Sequence, residues 1–286
     1  MYFTTQGLGG NGIYEVSVAA LDPEPAIDNP KLFAEGTISS AGSMSISFAP
    51  DGKTAYFAEA GSLIVASNRQ NGNWIFPARV EFAGRFFDFS PSVTPDGSQL
   101  FFSSSRPRRG QKLSLGLWVA ERNGARWGAP KDLGPEINGI GEGAGSPSVG
   151  RNGTVYFVAD RPESVGGLDI YRARRDGDHY MKPENLGPEI NSTHGEYDVY
   201  VSPDERLIVF GSDRPGGLGG NDLYISTSRA GGWTTPRNLG PSVNSAGAEC
   251  CPSMSPDGKW LYFNGAAGLK TGIYRISVAA LKRYGF

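Results

Sequence analysis

The chain has 286 residues, of which 41 are glycine and 20 proline, with 38% hydrophobic, 11% aromatic and 20% charged residues. So many turn formers beside so many aromatics predict many short strands rather than helices, and the apolar share excludes disorder. With 27 basic against 29 acidic residues, a net charge of −2, nothing draws the chain to nucleic acid or an anionic membrane, and no stretch approaches the ~18 apolar residues of a membrane span.

In chain order, a strand-like pair recurs at Tyr2-Phe3, Tyr56-Phe57, Phe101-Phe102, Tyr156-Phe157, Val209-Phe210 and Tyr262-Phe263, at spacings of 54, 45, 55, 53 and 53 residues. A turn precedes the last five: Pro50-Asp51-Gly52, Pro95-Asp96-Gly97, Arg151-Asn152-Gly153, Pro203-Asp204-Glu205 and Pro256-Asp257-Gly258. Asp-Gly and Asn-Gly tolerate positive φ, so each unit reads strand, hairpin turn, strand. A third strand follows, centred on Tyr14, Trp118, Tyr171, Tyr224 or Tyr274, with Leu63-Ile64-Val65 in the second unit. A fourth piece carries an aromatic three residues before a proline, as in Trp127 and Pro130, and runs into the segment Leu133 to Asn138, which returns at 186–191 and 239–244.

Four short strands per repeat are the signature of a β-propeller: one blade cannot bury both its faces, but blades stacked in a ring can. Six second and six third strands predict a single all-β domain over 1–286, a six-bladed propeller of four-stranded blades, with units at about 1–43, 44–89, 90–145, 146–198, 199–251 and 252–286. The terminal blades are incomplete or closed by a strand from the other end of the chain, and five blades with an irregular closure is the alternative. The match of GIYEVSVAAL at 12–21 to GIYRISVAAL at 272–281 supports closure.

The strings SPDGKWLYF (255–263), SDRPGGLGGNDLY (212–224), SPSVTPDGSQLFFSSSRP (90–107) and NLGPEIN (185–191) resemble the Pro-Asp-Gly-type repeats of TolB-like β-propellers. The resemblance implies a bacterial cell-envelope protein, periplasmic or secreted, that mediates contacts. The first residues, MYFTTQGLGG, have no basic or apolar leader region, so the leader of an exported protein is expected to be missing from this sequence.

Several positions stand out within the repeat. Asp88, Glu196 and Glu249 sit three residues before the Pro or Val of the innermost strand. The fourth unit has Ala144, with Glu142 two residues earlier, and the second unit is read as having Ala41. Innermost strands line a propeller's channel, so Asp88, Glu196 and Glu249 are expected at one mouth, holding a Ca²⁺ ion, an amine or a partner's cation, or else capping their own loops. The Asp-Arg-Pro strings at 160–162 and 213–215, each followed by Asp169 or Asp222, read as Arg–carboxylate pins for a long loop. The cysteines, Cys250 and Cys251, read as two buried thiols or a strained vicinal bridge, and without a CxxC or histidine cluster they do not read as a zinc site. His194 lies two residues before Glu196, within reach of proton transfer or as an ordinary loop histidine. The basic stretch Arg106, Arg108, Arg109 and Lys112 reads as a solvated loop.

The leading expectation is a non-enzymatic binding module of the cell envelope that uses no cofactor or, as the alternative, a calcium ion.

 It is expected to be a monomer that contacts a protein or a saccharide through Asp88, Glu142, Glu196, Tyr197, Glu249, Cys250 and Cys251. The alternative is a carbohydrate-active hydrolase or lyase at the central funnel, with Glu196 or Glu249 as acid or base and His194 or Tyr197 assisting.

Overall fold

The Asp or Asn of each sequence-predicted turn closes its own loop: the carboxylate or amide oxygen of Asp51, Asp96, Asn152, Asp204 and Asp257 accepts the N–H two residues on, at 2.9, 3.0, 2.9, 3.3 and 3.1 Å. The next residue takes positive φ, as Gly52, Gly97, Gly153, Gly258 or the non-glycine Glu205, and the chain reverses into the second strand. In the computed structural model, which describes residues 2–4, 13–15, 29–40, 42–60, 63–108, 115–139, 143–265 and 270–284, these hairpins build five four-stranded antiparallel blades.

Blade 1 runs Met44–Phe48, Thr54–Glu59, Leu63–Gln70 and Ala78–Arg79 from the axis outward. Blade 2 runs Asp88–Val93, Gln99–Ser104, Gly116–Asn123 and Lys131–Asp132. Blade 3 runs Ala144–Val149, Val155–Asp160, Leu168–Ala173 and Glu184–Asn185, and blade 4 runs Glu196–Val201, Leu207–Ser212, Asp222–Arg229 and Arg237–Asn238. Blade 5 takes Cys250–Met254, Trp260–Gly265 and Gly272–Ser277 from the end of the chain and its outermost strand, Lys31–Leu32, from near the start.

The count of six is therefore corrected to the alternative of five. Among the described residues Tyr2–Thr4 and Ile13–Glu15 pair only with each other, and what read as a first blade supplies the strand that closes the ring. The recurrent residue pair has a simple cause: neighbours on a strand face opposite sides of the sheet. Phe57, Phe102, Phe157, Phe210 and Phe263 pack against the preceding blade, whereas Tyr56, Phe101, Tyr156, Val209 and Tyr262 pack against the following one. The core is accordingly five clusters, one in each gap between blades, with Phe33 beside the closing strand filling the gap between blades 5 and 1.

The segment that repeats as 133–138, 186–191 and 239–244 also has a defined task. Its terminal asparagine is buried and clamps the third strand of its own blade, donating to a carbonyl and accepting an N–H of one residue: Asn138 on Leu117, Asn191 on Ile170 and Asn244 on Leu223, at 2.7–3.0 Å. In blade 5 the hydroxyl of Ser39, from the closing segment, does the same for Ile273.

Candidate functional site

The five innermost strands adjoin one another in a ring around the axis. Each is bulged where it pairs with its second strand, and at each bulge one non-glycine residue takes a left-handed backbone: Ser45, Ser90, Ser146, Asp198 and Cys251, with φ between 43° and 57°. A bulge of this kind turns a side chain off the regular alternation and costs backbone strain that the surrounding sheet must hold. Here all five side chains meet around the axis. Ser45 and Ser90, and Ser90 and Ser146, have hydroxyls 3.5 Å apart. Ser146 donates to Asp198 at 2.5 Å, and Asp198 in turn accepts the Cys251 N–H at 3.3 Å. The ring lines a small open pocket of about 30 Å³.

Below it the channel widens to about 330 Å³, lined by Pro50, Pro95, Pro203, Pro256, Tyr200 and Met254 among others, with no carboxylate in its wall. The innermost strands begin on the other side of the ring. There the loop leading into blade 4 holds Tyr197 against Asp213: the phenol donates to one carboxylate oxygen at 3.4 Å, and the Gly195 N–H donates to the other at 2.9 Å. A side chain on Gly195 would collide with the Tyr197 ring, so the glycine is what lets that ring lie close over the loop. Partial burial, then the nearby Asp213 charge, raise the Tyr197 hydroxyl above its ordinary value, which keeps it a donor. Asp213 itself is exposed.

The acids singled out from sequence lie elsewhere. Asp88, Glu196 and Glu249 are 0%, 0% and 1% exposed, because the bulge puts the residue two positions later into the channel and leaves these inside their blades. Asp88 accepts Ser104 Oγ at 2.7 Å and pairs with both terminal nitrogens of Arg106. Glu196 accepts Ser192 N and Oγ, Ser212 Oγ and Arg214 Nη2, at 2.7–3.2 Å. Glu249 accepts only Ser245, from N at 2.9 Å and Oγ at 2.6 Å, among the described residues. Burial pushes the Asp88 and Glu196 carboxyls above their ordinary value, against the pull of their hydrogen bonds and arginines. Glu196 and Glu249 cap the loops before them and Asp88 is an arginine partner, each within its own blade. Their counterpart in blade 1 is Ser43, two residues before Ser45, rather than Ala41; Ala41 and Glu142 lie outside the described residues.

The arginine pins exist with different partners from those expected. Arg106 and Arg214 reach the carboxylates of Asp88 and Glu196, at the start of the innermost strand, and Arg161 reaches the carbonyls of Glu136 and Ile137. Asp169 and Asp222 instead accept N–H groups of the glycine-rich loops and the amides of Asn185 and Asn238. Arg106 and Arg108 are buried, which corrects their reading as solvated; Arg109 and Lys112 lie outside the described residues. The His194 ring meets Thr193 at 3.3 Å and has no contact with Glu196 in its loop.

Cys250 and Cys251 are free thiols with sulfurs 3.1 Å apart. The contact with Cys250, burial and the Asp198 charge together push the Cys251 thiol well above its ordinary value. With Asp198 they form the one group among the described residues whose donor types and spacing suit a metal ion, all within 4.8 Å. Sequence reasoning missed Asp198 and Asp213. Asp198 differs in type from its four repeat counterparts, and Asp213 was read as a loop pin.

No protein-family model matches this sequence, and no curated protein does. Solved structures share the fold. An endo-arabinase from Bacteroides thetaiotaomicron aligns with a TM-score of 0.56 at 14% identity, over 86% of this chain and 95% of its own. A gluconolactonase from Xanthomonas campestris aligns at 0.47 and 10% identity, over 90% and 99%. A glucose dehydrogenase-type putative oxidoreductase from Thermus thermophilus aligns at 0.48 and 11%, over 87% and 99%. The expectation of a non-enzymatic envelope module is corrected here: the neighbour with a TM-score of 0.56 is an enzyme, the endo-arabinase, and the acids on which that expectation rested are buried inside their blades.

Proposed function

We propose that the chain is a carbohydrate-active hydrolase or lyase that works at the ring side of the central channel. The observation that carries the reading is the pairing of Tyr197 with Asp213 there. Bond cleavage in a saccharide needs a proton taken from one oxygen or carbon and given to another. An exposed carboxylate is the group to accept it, and a phenol held protonated beside it is the group to donate or to orient the leaving oxygen. The fold that the chain shares with an endo-arabinase is compatible with this chemistry, since one fold of this kind hosts many activities. Glu196 and Glu249 take no part, being sealed inside their blades.

The test is turnover of a panel of neutral and acidic polysaccharides by the wild-type chain, Asp213→Asn and Tyr197→Phe. We expect Asp213→Asn to lower kcat/KM by about 100-fold or more and Tyr197→Phe by a smaller factor. Equal turnover by the wild type and Asp213→Asn would remove the pair from the chemistry.

A further inference from the structure

We propose that Cys250, Cys251 and Asp198 bind a thiophilic divalent cation of the Zn²⁺ class at the ring of the central channel. Consecutive residues of a regular strand point to opposite faces, so adjacent cysteines do not ordinarily share a ligand. Here Cys251 takes φ 57° at its bulge, the alternation breaks, and the two sulfurs come to 3.1 Å. Asp198 takes φ 43° at the equivalent bulge of blade 4, which brings its Oδ2 to 3.6 Å from Cys251 Sγ.

These spacings can be set against coordination geometry. With Zn–S near 2.3 Å and Zn–O near 2.1 Å, a tetrahedral ion holds its sulfur and oxygen donors ~3.6 Å apart and its two sulfurs ~3.8 Å apart. The sulfur–oxygen separation already matches. The sulfur pair needs to open by a fraction of an ångström, and Cys250, which is only half-buried, has room to turn. Two thiolates and one carboxylate select a borderline-soft ion over Ca²⁺ or Mg²⁺, which want many oxygens. Binding displaces the two thiol protons to solvent, and two thiolates and one carboxylate around a divalent ion leave a centre of net charge −1 beside the ring hydroxyls of Ser45, Ser90 and Ser146. The pocket of about 30 Å³ there holds one ion or water. Such an ion would tie blade 4 to the neighbouring blade 5 beside the axis.

The experiment uses the full chain, reduced, stripped with a chelator and kept free of oxygen, with Co²⁺ and Zn²⁺ alone as probes. One Co²⁺ per chain is expected, with the near-ultraviolet absorption of a thiolate–cobalt bond, displaced by Zn²⁺, and Zn²⁺ is expected to raise the Tm. Cys250→Ser and Cys251→Ser should each weaken that absorption, and Asp198→Asn should lower Zn²⁺ affinity by about tenfold or more with both thiols still present. Circular dichroism checks that each variant folds; if Cys251→Ser does not, Cys250→Ser and Asp198→Asn still decide. Absence of the thiolate–cobalt band in the reduced wild type overturns the site, and so does a Zn²⁺ affinity untouched by Asp198→Asn. None of these readouts involves a substrate, so the result is separate from that for the proposed activity.

Discussion

Glu196 and Glu249 occupy the same place in neighbouring blades, and one difference in partner separates them. Glu196 receives Arg214 at 2.9 Å, whose guanidinium also lies over Phe210 and Tyr224. Glu249 receives only Ser245 among the described residues, and in sequence register Ala267 stands where blade 4 has Arg214. Neutralising each carboxylate should therefore cost different amounts. Glu196→Gln strands a largely buried cation and is expected to lose about 2 kcal/mol, whereas Glu249→Gln keeps acceptors for Ser245 and is expected to lose under about 1 kcal/mol, both read by urea unfolding. Glu196 also has a pH signature. Burial, the largest influence, holds its carboxyl above the ordinary 4.5, so the folded chain binds this proton more tightly than the unfolded one. Stability contributed at this site is then greatest at low pH and falls as pH rises from about 4.5 through the folded value. The Tm difference between wild type and Glu196→Gln should shrink over that interval, and a difference that grows instead would mean that Arg214 outweighs burial. That an acid recurs at this position was legible in the sequence. Its destination was not, because a bulge shifts which residue of the strand meets the channel and leaves no mark in residue type.

At the scale of the element, the third strands of blades 2, 3 and 4 are each held from the side by one asparagine. Asn191 completes both hydrogen bonds of Ile170 and is itself positioned by Asn185 at 2.7 Å. Asn191→Ala would leave the buried Ile170 N–H without its partner, while the Ile170 C=O keeps the Leu186 N–H at 3.1 Å, a loss expected at about 1–3 kcal/mol, and hydrogen exchange should show Ile170 losing protection first. The glycine-rich loops have an equally local requirement. A side chain on Gly166 would lie 2.2 Å from the His194 carbonyl, and one on Gly219 would lie 2.1 Å from that of Gly247, so each loop rests directly on the loop that carries the next blade's buried glutamate. Gly166→Ala is expected to lower the Tm and also to disturb Tyr197, whose loop it would displace, so turnover on any polysaccharide substrate should fall more than stability alone explains. The hairpins were readable from sequence because their turn chemistry is contained in three or four adjacent residues. The asparagine clamp showed itself as a repeated string without a role, since its partner lies 21 residues away.

Ring closure belongs to the whole molecule. A periodicity search counts units along the chain, and it counted one too many because closure joins the two ends: Lys31–Leu32 pairs with Tyr274 and Arg275, more than 240 residues later by their numbers. The five gaps between blades are otherwise alike, each filled from both sides by second-strand side chains. The gap between blades 5 and 1 differs because Phe33, immediately after the closing strand, enters it, with ring centroids 4.9 Å from Tyr262, 5.7 Å from Trp74 and 6.0 Å from Phe48. Its N–H also donates to the Ile273 carbonyl at 2.8 Å. Phe33 thus couples the end strand to both blades of the seam, and opening there exposes an unpaired strand edge and two apolar faces. Phe33→Ala should cost about 3–5 kcal/mol, a fall of roughly 10 °C in Tm for a chain of this size. If closure rests on this residue, the loss will be uneven: amide protection should drop in Gly272–Ser277 and Met44–Phe48, while Leu168–Ala173 in blade 3 keeps its protection up to the global transition. A cavity variant of the same size in the gap between blades 2 and 3, Phe157→Ala, supplies the comparison, because it removes packing without touching the closing strand. Equal loss of protection around the ring in both variants would show that the seam is no weaker than any other gap.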